Sequence, residues 1–524
     1  METLPQLFNY AVEQYRNQPV LIEPSEDNSL SVLSYYQVRE RVHQFAGYLQ
    51  GQEVQKGERI LIWSASRADW LIAYFAAVLL GLVVVPVDVN SKEDFIARLI
   101  EKTEARFLIT TRKQHATLQH ISLPFIDIDQ LPQGSFMADR LPAISKDDLA
   151  QLVFTSGTTG QPKGVMLSHS NIVSNAKASV EAVDIRRGDR ALSILPLSHM
   201  LELTIDVAIF HIGACVIYAR TLSPDTLFKL FTSQRITCMV LVPQALQLFM
   251  NGIDREVRRQ KKEKIWERLH TIAARLPFSL RRYLFGTIHQ KLGGHFRFFV
   301  SGGAYLPPVL GRRWENMGVR VLQGYGTTEC SPVVSVNRTH DHNMESTGLP
   351  LPGVEVRIAP DKEILVRGPN VTLGYWHNED ATKAAFDGEW YRTGDLGLLD
   401  AKGGLYIKGR KKNLIVLANG MNVFPEDLEN ILLENKNLKD AVVMGLGRDE
   451  HDPQVHAILL MEHPDQATAK AAIQQANKRL AAHQQIRGFT IWPEEDFPRT
   501  HTLKVKRQDM LATLTSLRKE QEIS

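Results

Sequence analysis

The feature that most restricts the fold of this sequence is a series of short apolar runs, each of strand length and each ending in glycine or polar residues. The runs are "AQLVFTSG" (150–157), "ACVIYA" (214–219), "ITCMVLVP" (236–243), "RFFVSGG" (297–303) and "VRVLQGYG" (319–326). Helix-like spacing fills several of the intervals, for example Leu306 to Met317. Runs without polar alternation suit strands covered on both faces, as in parallel sheets flanked by helices. The alternation predicts α/β architecture, with ligands expected at the loops that follow the strands.

A chain of 524 residues exceeds what one compact core organises, so more than one domain is expected. The character changes near 403–413, "GGLYIKGRKKN", and about a hundred further residues suffice for a small α+β domain. The expected division is an N-terminal domain, 1–411, and a C-terminal domain, 412–524, with a hinge near Lys412.

Several classes are excluded or disfavoured. The three cysteines, Cys215, Cys238 and Cys330, lie far apart and lack metal or disulfide spacing. "METLPQLFNYAVEQY" has neither the basic start nor the apolar stretch of a signal peptide, so a reducing cytoplasm is expected. The apolar stretch Trp70 to Val87 is divided by Gly81 and Pro86 and is read as a buried helix-turn-strand rather than a membrane span.

Net charge is only +3, yet residues 255–297 hold twelve Lys or Arg against three Glu. Ile265, Trp266, Leu269 and Ile272 fall among these bases at helical spacing, as in an interfacial amphipathic helix. A solvated helix face or a docking surface for a phosphorylated carrier fits the same pattern. The few aromatics and the lack of a recognition module argue against nucleic acid.

"TSGTTGQPKGVMLSH" (155–169) concentrates glycines, hydroxyls and Lys163 after an apolar run, which suits an anion cradle. A P-loop requires Gly-Lys followed by Ser or Thr, whereas Lys163 here precedes Gly164 and Val165, so the ordinary P-loop NTPase class is excluded. "SGGAYLP" from Ser301 and "QGYGTTE" from Gln323 each follow a strand, and the helix between them would bring both loops to one crevice. There Tyr325 offers a flat face for a purine, Thr327 and Thr328 offer hydroxyls, and Glu329 offers a hard oxygen for Mg2+. In "YRTGDLG" (391–397), Asp395 at the end of a tight turn suits ribose hydroxyls, with Arg410 of "GRKKN" able to approach the same sugar. Lys504 lies in a basic C-terminal stretch, "FPRTHTLKVKR".

In residues and in order, these motifs resemble the adenylate-forming superfamily of acyl-CoA synthetases, luciferases and peptide-synthetase adenylation domains, over essentially the whole chain. The resemblance implies a large N-terminal domain of mixed sheets with helices and a small mobile C-terminal domain. It implies that Thr155, Ser156, Gly157, Thr158, Thr159, Gly160 and Lys163 cover the ATP β- and γ-phosphates. Gly302, Gly303, Ala304, Gly324, Tyr325, Gly326 and Thr327 would line the nucleotide crevice, with Tyr325 on adenine and Thr328 at the α-phosphate. Glu329 and Thr155 would serve Mg2+, Asp395 and Arg410 the ribose, His199 the acyl carboxylate, and Lys504 the catalytic charge. The insert Asn251 to Leu292 looks like that of long-chain fatty acyl synthetases and bacterial acyl-carrier-protein synthetases. The implied reaction joins a medium- to long-chain fatty acid to CoA, or to a holo-acyl carrier protein, through acyl-AMP.

Overall fold

The computed structural model describes all residues except 25–28, 156–161, 220–222, 342, 418, 420, 447–452, 500–504 and 515–524. The chain is α/β and forms two compact units, Met1–Val356 with Val366–Tyr391, and Arg357–Leu365 with Arg392–Ser524.

All five apolar runs are strands: Leu149–Thr155, Cys215–Tyr218, Cys238–Leu241, Phe298–Ser301 and Arg320–Gly326. The last four belong to a nine-stranded sheet of the first unit, whose central pairs are parallel and whose margins are antiparallel. Leu149–Thr155 lies in a seven-stranded sheet beside Lys163–Ser168 and Val83–Val87. Trp70 to Val87 is the expected buried helix-turn-strand: the helix Ala68–Leu79 is buried throughout, followed by the strand Val83–Val87. Phe75 on that helix meets Phe8 at 4.8 Å and Phe210 at 5.0 Å between ring centroids. Contact on every side explains a helix without a polar face. No helix among the described residues is long and apolar enough to cross a membrane.

Helix Met200–Ile212 carries a buried acid pair one turn apart, Glu202 and Asp206, with Asp206 accepting the Tyr218 hydroxyl at 2.6 Å. Burial raises both groups, Asp206 to about 7, and the Asp206 charge raises Glu202 further. The folded protein therefore holds protons that the unfolded chain releases from about pH 4, and this stability is lost as pH rises toward 7. The urea midpoint should fall between pH 5 and 7.5, and Glu202→Gln should lessen that fall. Identical pH slopes for the variant and the parent would contradict the shared-charge account.

In the second unit, Leu438–Leu446 and Gln454–Met461 are antiparallel, and Gly488–Ile491 runs parallel to the latter. The two-residue alternation of a strand puts Val443, Ala457 and Leu459 in one apolar cluster with helices Pro425–Leu433 and Gln466–Asn477. Val442, Ile458 and Leu460 fall on the other face with Trp492, Phe497 and Met510. By compactness the second unit takes in Arg392–Lys411, twenty residues before the expected division at Lys412. The cause is strand pairing, which registers Asp395 with Arg410 and Leu399 with Leu405.

The basic insert differs from its expected form. On helix Glu263–Arg275, Trp266 and Leu269 pack inward against the large core, while Ile265 and Ile272 are 56% and 51% exposed. The outer stripe is Ile265, Arg268, Ile272 and Arg275. Not all of the bases face solvent fully: Arg297 pairs with Asp189, and Arg282 with the Gly294 carbonyl.

Candidate active site

The strands Leu149–Thr155 and Lys163–Ser168 form an antiparallel hairpin in which Thr155 and Lys163 are paired. The connecting residues Ser156, Gly157, Thr158, Thr159 and Gly160 lie outside the described residues. Thr155 and Lys163 are both half-buried at the base of that loop.

Phe298–Ser301, helix Pro308–Asn316 and Arg320–Gly326 form the expected strand-helix-strand unit, with Ser301 and Gln323 cross-strand partners. This brings Gly302 beside Gly324, with Gly303 and Ala304 next in the chain: a Cβ on Gly302 would lie 3.8 Å from the Gly324 carbonyl oxygen. The same Cβ would lie 3.4 Å from Leu201, so the helix that His199 caps borders this crevice. Ser301 Oγ, Gln323 Oε1 and Thr327 Oγ1 are buried and find no hydrogen-bond partner among the described residues. Unpaired buried polar atoms are costly, and three near one strand end fit a polar ligand. Tyr325 and Gly326 continue the strand, and Gly326 packs so closely that a Cβ would fall 1.8 Å from the Pro332 carbonyl oxygen.

Thr328 and Glu329 open a short 3-10 turn, Thr328–Cys330. Its position is fixed from several directions: Thr372 N donates to the Glu329 carbonyl at 2.7 Å, and Thr204 Oγ1 donates to the Ser331 carbonyl at 3.1 Å. The Glu329 carboxylate accepts the Tyr375 hydroxyl at 3.0 Å. Tyr391 in turn hydrogen-bonds to Tyr375, and burial, with the Glu329 charge, pushes both phenols well above their usual range. Lys163 Nζ stands 5.2 Å from the centre of the Tyr375 ring. Lys163 and Glu329, far apart in sequence, thus share one neighbour. His199 Nε2 lies 3.6 Å from Asp88 Oδ2.

The second unit brings Asp395 and Arg410 together, with Arg410 Nε 3.1 Å from Asp395 Oδ1. Asp395 is 4% exposed and stands within the continuous strand Trp390–Leu399 rather than at the end of a tight turn. The local bend comes from Gly394, whose φ is 71°. Thr393 Oγ1 accepts from Asp395 N, and Glu363 accepts from Gly394 N at 3.0 Å and from Arg392 at 2.6 Å. Glu363 is a buried organiser of this segment that no local motif announced. Burial and the nearby Arg410 charge lower Lys412. Lys504 lies outside the described residues.

No cluster of three or more His, Cys, Asp or Glu suited to a metal occurs among the described residues. A single carboxylate, Glu329, with hydroxyls nearby in sequence instead fits Mg2+ held chiefly through substrate phosphates and water.

The AMP-binding enzyme profile matches residues 8–376, and that of the AMP-binding enzyme C-terminal domain matches 412–517. The chain belongs to the AMP-binding enzyme family.

Among AMP-binding enzymes, a long-chain-fatty-acid–CoA ligase of Mycobacterium bovis is 32% identical over 527 residues, covering 87% of this chain and 86% of that protein. The medium-chain fatty-acid–CoA ligase of Escherichia coli K12 is 26% identical over 532 residues, covering 93% and 88%. The o-succinylbenzoate CoA synthetase of Bacillus subtilis, solved with its acyl-adenylate intermediate, is 25% identical with a TM-score of 0.80, covering 96% and 97%. The same enzyme with ATP and magnesium ion gives a TM-score of 0.78, covering 96% and 98%. The fold is the adenylate-forming one, with a large N-terminal and a smaller C-terminal domain.

Proposed function

We propose that this AMP-binding enzyme activates a medium- to long-chain fatty acid with ATP and transfers it to CoA. The observation that carries the acid class is an apolar cavity in the first unit. It is lined by Phe228, Phe231, Phe249, Ile253, Phe299 and Trp314, with Lys291 as a charged lining residue. Such a lining suits an alkyl chain and gives amino or hydroxyl substituents no partner. The fatty-acid ligases among the relatives support the same reading.

In the first step a carboxylate oxygen attacks the ATP α-phosphorus, the bond from that phosphorus to the β-bridging oxygen breaks, and pyrophosphate leaves. Thr155, Lys163 and the intervening loop hold the departing phosphates, Thr328 holds the α-phosphate, and Tyr325 supports the adenine. Asp395, ion-paired with Arg410, accepts from the ribose hydroxyls. Lys504 brings positive charge to the developing anions. Magnesium, when bound, supplies further charge neutralisation, and Glu329 with Thr155 would hold it. His199 orients the acid carboxylate. In the second step a thiolate attacks the acyl carbonyl, the thioester C–S bond forms, and AMP leaves. The hinge near Lys412 lets the C-terminal domain serve each step in turn.

The exposed stripe of Ile265 and Ile272 among arginines supports peripheral contact with an anionic membrane, where fatty acids partition. The same basic face supports an acidic holo-acyl carrier protein as the alternative acceptor.

A panel of acids with ATP and CoA should give highest kcat/KM for C8 to C18 chains. Preference for acetate, amino acids or aryl acids would refute the substrate class, and a higher kcat/KM with holo-carrier than with CoA would replace the acceptor.

A further inference from the structure

The segment "TLGYW", Thr372 to Trp376, has no part in the site as read from the motifs, yet hydrogen bonds join it to both sides of the phosphate region. On one side Leu373 N donates to the Met166 carbonyl at 3.1 Å, and Trp376 N to the Gly164 carbonyl at 2.7 Å. These bonds place Tyr375 opposite Val165, two residues from Lys163. On the other side Thr372 N donates to the Glu329 carbonyl at 2.7 Å, and Asn370 Nδ2 donates to the Cys330 carbonyl at 2.8 Å. The backbone of this segment is therefore pinned to the strand of Lys163 and to the turn of Glu329.

The Tyr375 side chain uses that placement twice. Its hydroxyl donates to Glu329 Oε1 at 3.0 Å, and its ring lies 5.2 Å from Lys163 Nζ. Behind it stands Tyr391, 4% exposed, hydrogen-bonded to the Tyr375 oxygen. A carboxylate with one oxygen held by a fixed donor keeps a single orientation and leaves the other oxygen for a cation. An ammonium near an aromatic ring is attracted without being neutralised, so its charge remains available to phosphate.

We propose that Tyr375 is a positioning residue for adenylation: it orients the Glu329 carboxylate for the metal and holds Lys163 in register with it. Two charges from a strand and a turn more than 160 residues apart are thereby set by one side chain. This rests on the reading of Glu329 as the metal-binding carboxylate.

The test is Mn2+ binding to the full chain with a non-hydrolysable ATP analogue, followed by electron paramagnetic resonance. The magnesium dependence of acid-dependent pyrophosphate exchange is measured alongside. Tyr375→Phe should raise the half-saturating metal concentration about tenfold, with ATP KM at saturating metal close to the parent value. Tyr375→Leu, which also removes the ring, should raise ATP KM several-fold in addition. Unchanged metal half-saturation in Tyr375→Phe, with Glu329→Gln impaired, overturns the positioning role. Parent-like Mn2+ binding by Glu329→Gln overturns the metal assignment beneath it. If Tyr375→Phe does not fold, Tyr391→Phe reads the same chain of hydroxyls: a rise of about twofold or more is expected, and none overturns the proposal.

Discussion

Lys504→Ala should lower acid-dependent pyrophosphate exchange by about 10³-fold while conversion of supplied acyl-AMP and CoA to thioester persists. Adenylation brings a carboxylate against a polyphosphate, so charge supplied at the α-phosphorus lowers the barrier directly. Thioesterification discharges a neutral acyl carbonyl and has less need of that charge. The described flanks of Lys504 are anchored: Arg499 and Val505 pair in an antiparallel bridge, and Arg499 is held by Asp440 at 2.7 Å and Asp496 at 2.8 Å. The substitution should thus remove a charge without unfolding the unit. Measuring the two half-reactions separately is decisive, since equal loss of both would count against alternation of the C-terminal domain between steps.

Gly326→Ala should destabilise the first unit by about 3 kcal/mol and abolish ATP-dependent exchange. Its Cβ would stand 1.8 Å from the Pro332 carbonyl oxygen and 2.8 Å from the carbonyl carbon. Backbone cannot rotate aside as a side chain does, so the pairing of Gly326 with Val333 must open. That pairing sets the start of the Thr328–Cys330 turn, which carries Glu329. Gly51→Ala is the control: it lies at the end of helix Tyr35–Gly51 with nothing within 4 Å of its Cβ. It should be neutral or slightly stabilising, because alanine is the better helix former. A parent-like urea midpoint for Gly326→Ala would show that the turn yields at little cost.

The motifs made much of this legible because their chemistry is local. The apolar runs of strand length are strands, and Ser301 and Gln323 meet because the intervening helix returns the chain beside itself. Helix Glu263–Arg275 shows where such reading stops. Its periodicity defines two faces, and both contain apolar residues, so only packing against the core decides that Trp266 turns inward and Ile265 outward.

The sequence by itself determined the α/β class, the exclusion of a P-loop and the nearness of Arg410 to Asp395. Each follows from residue type and short spacing. Tertiary structure alone decided that Tyr375 joins Glu329 to Lys163, that Glu363 organises the Asp395 segment, and that Gly326 cannot carry a Cβ. Those facts depend on contacts between strands and turns remote in the chain or on backbone separations, and no residue pattern encodes a distance.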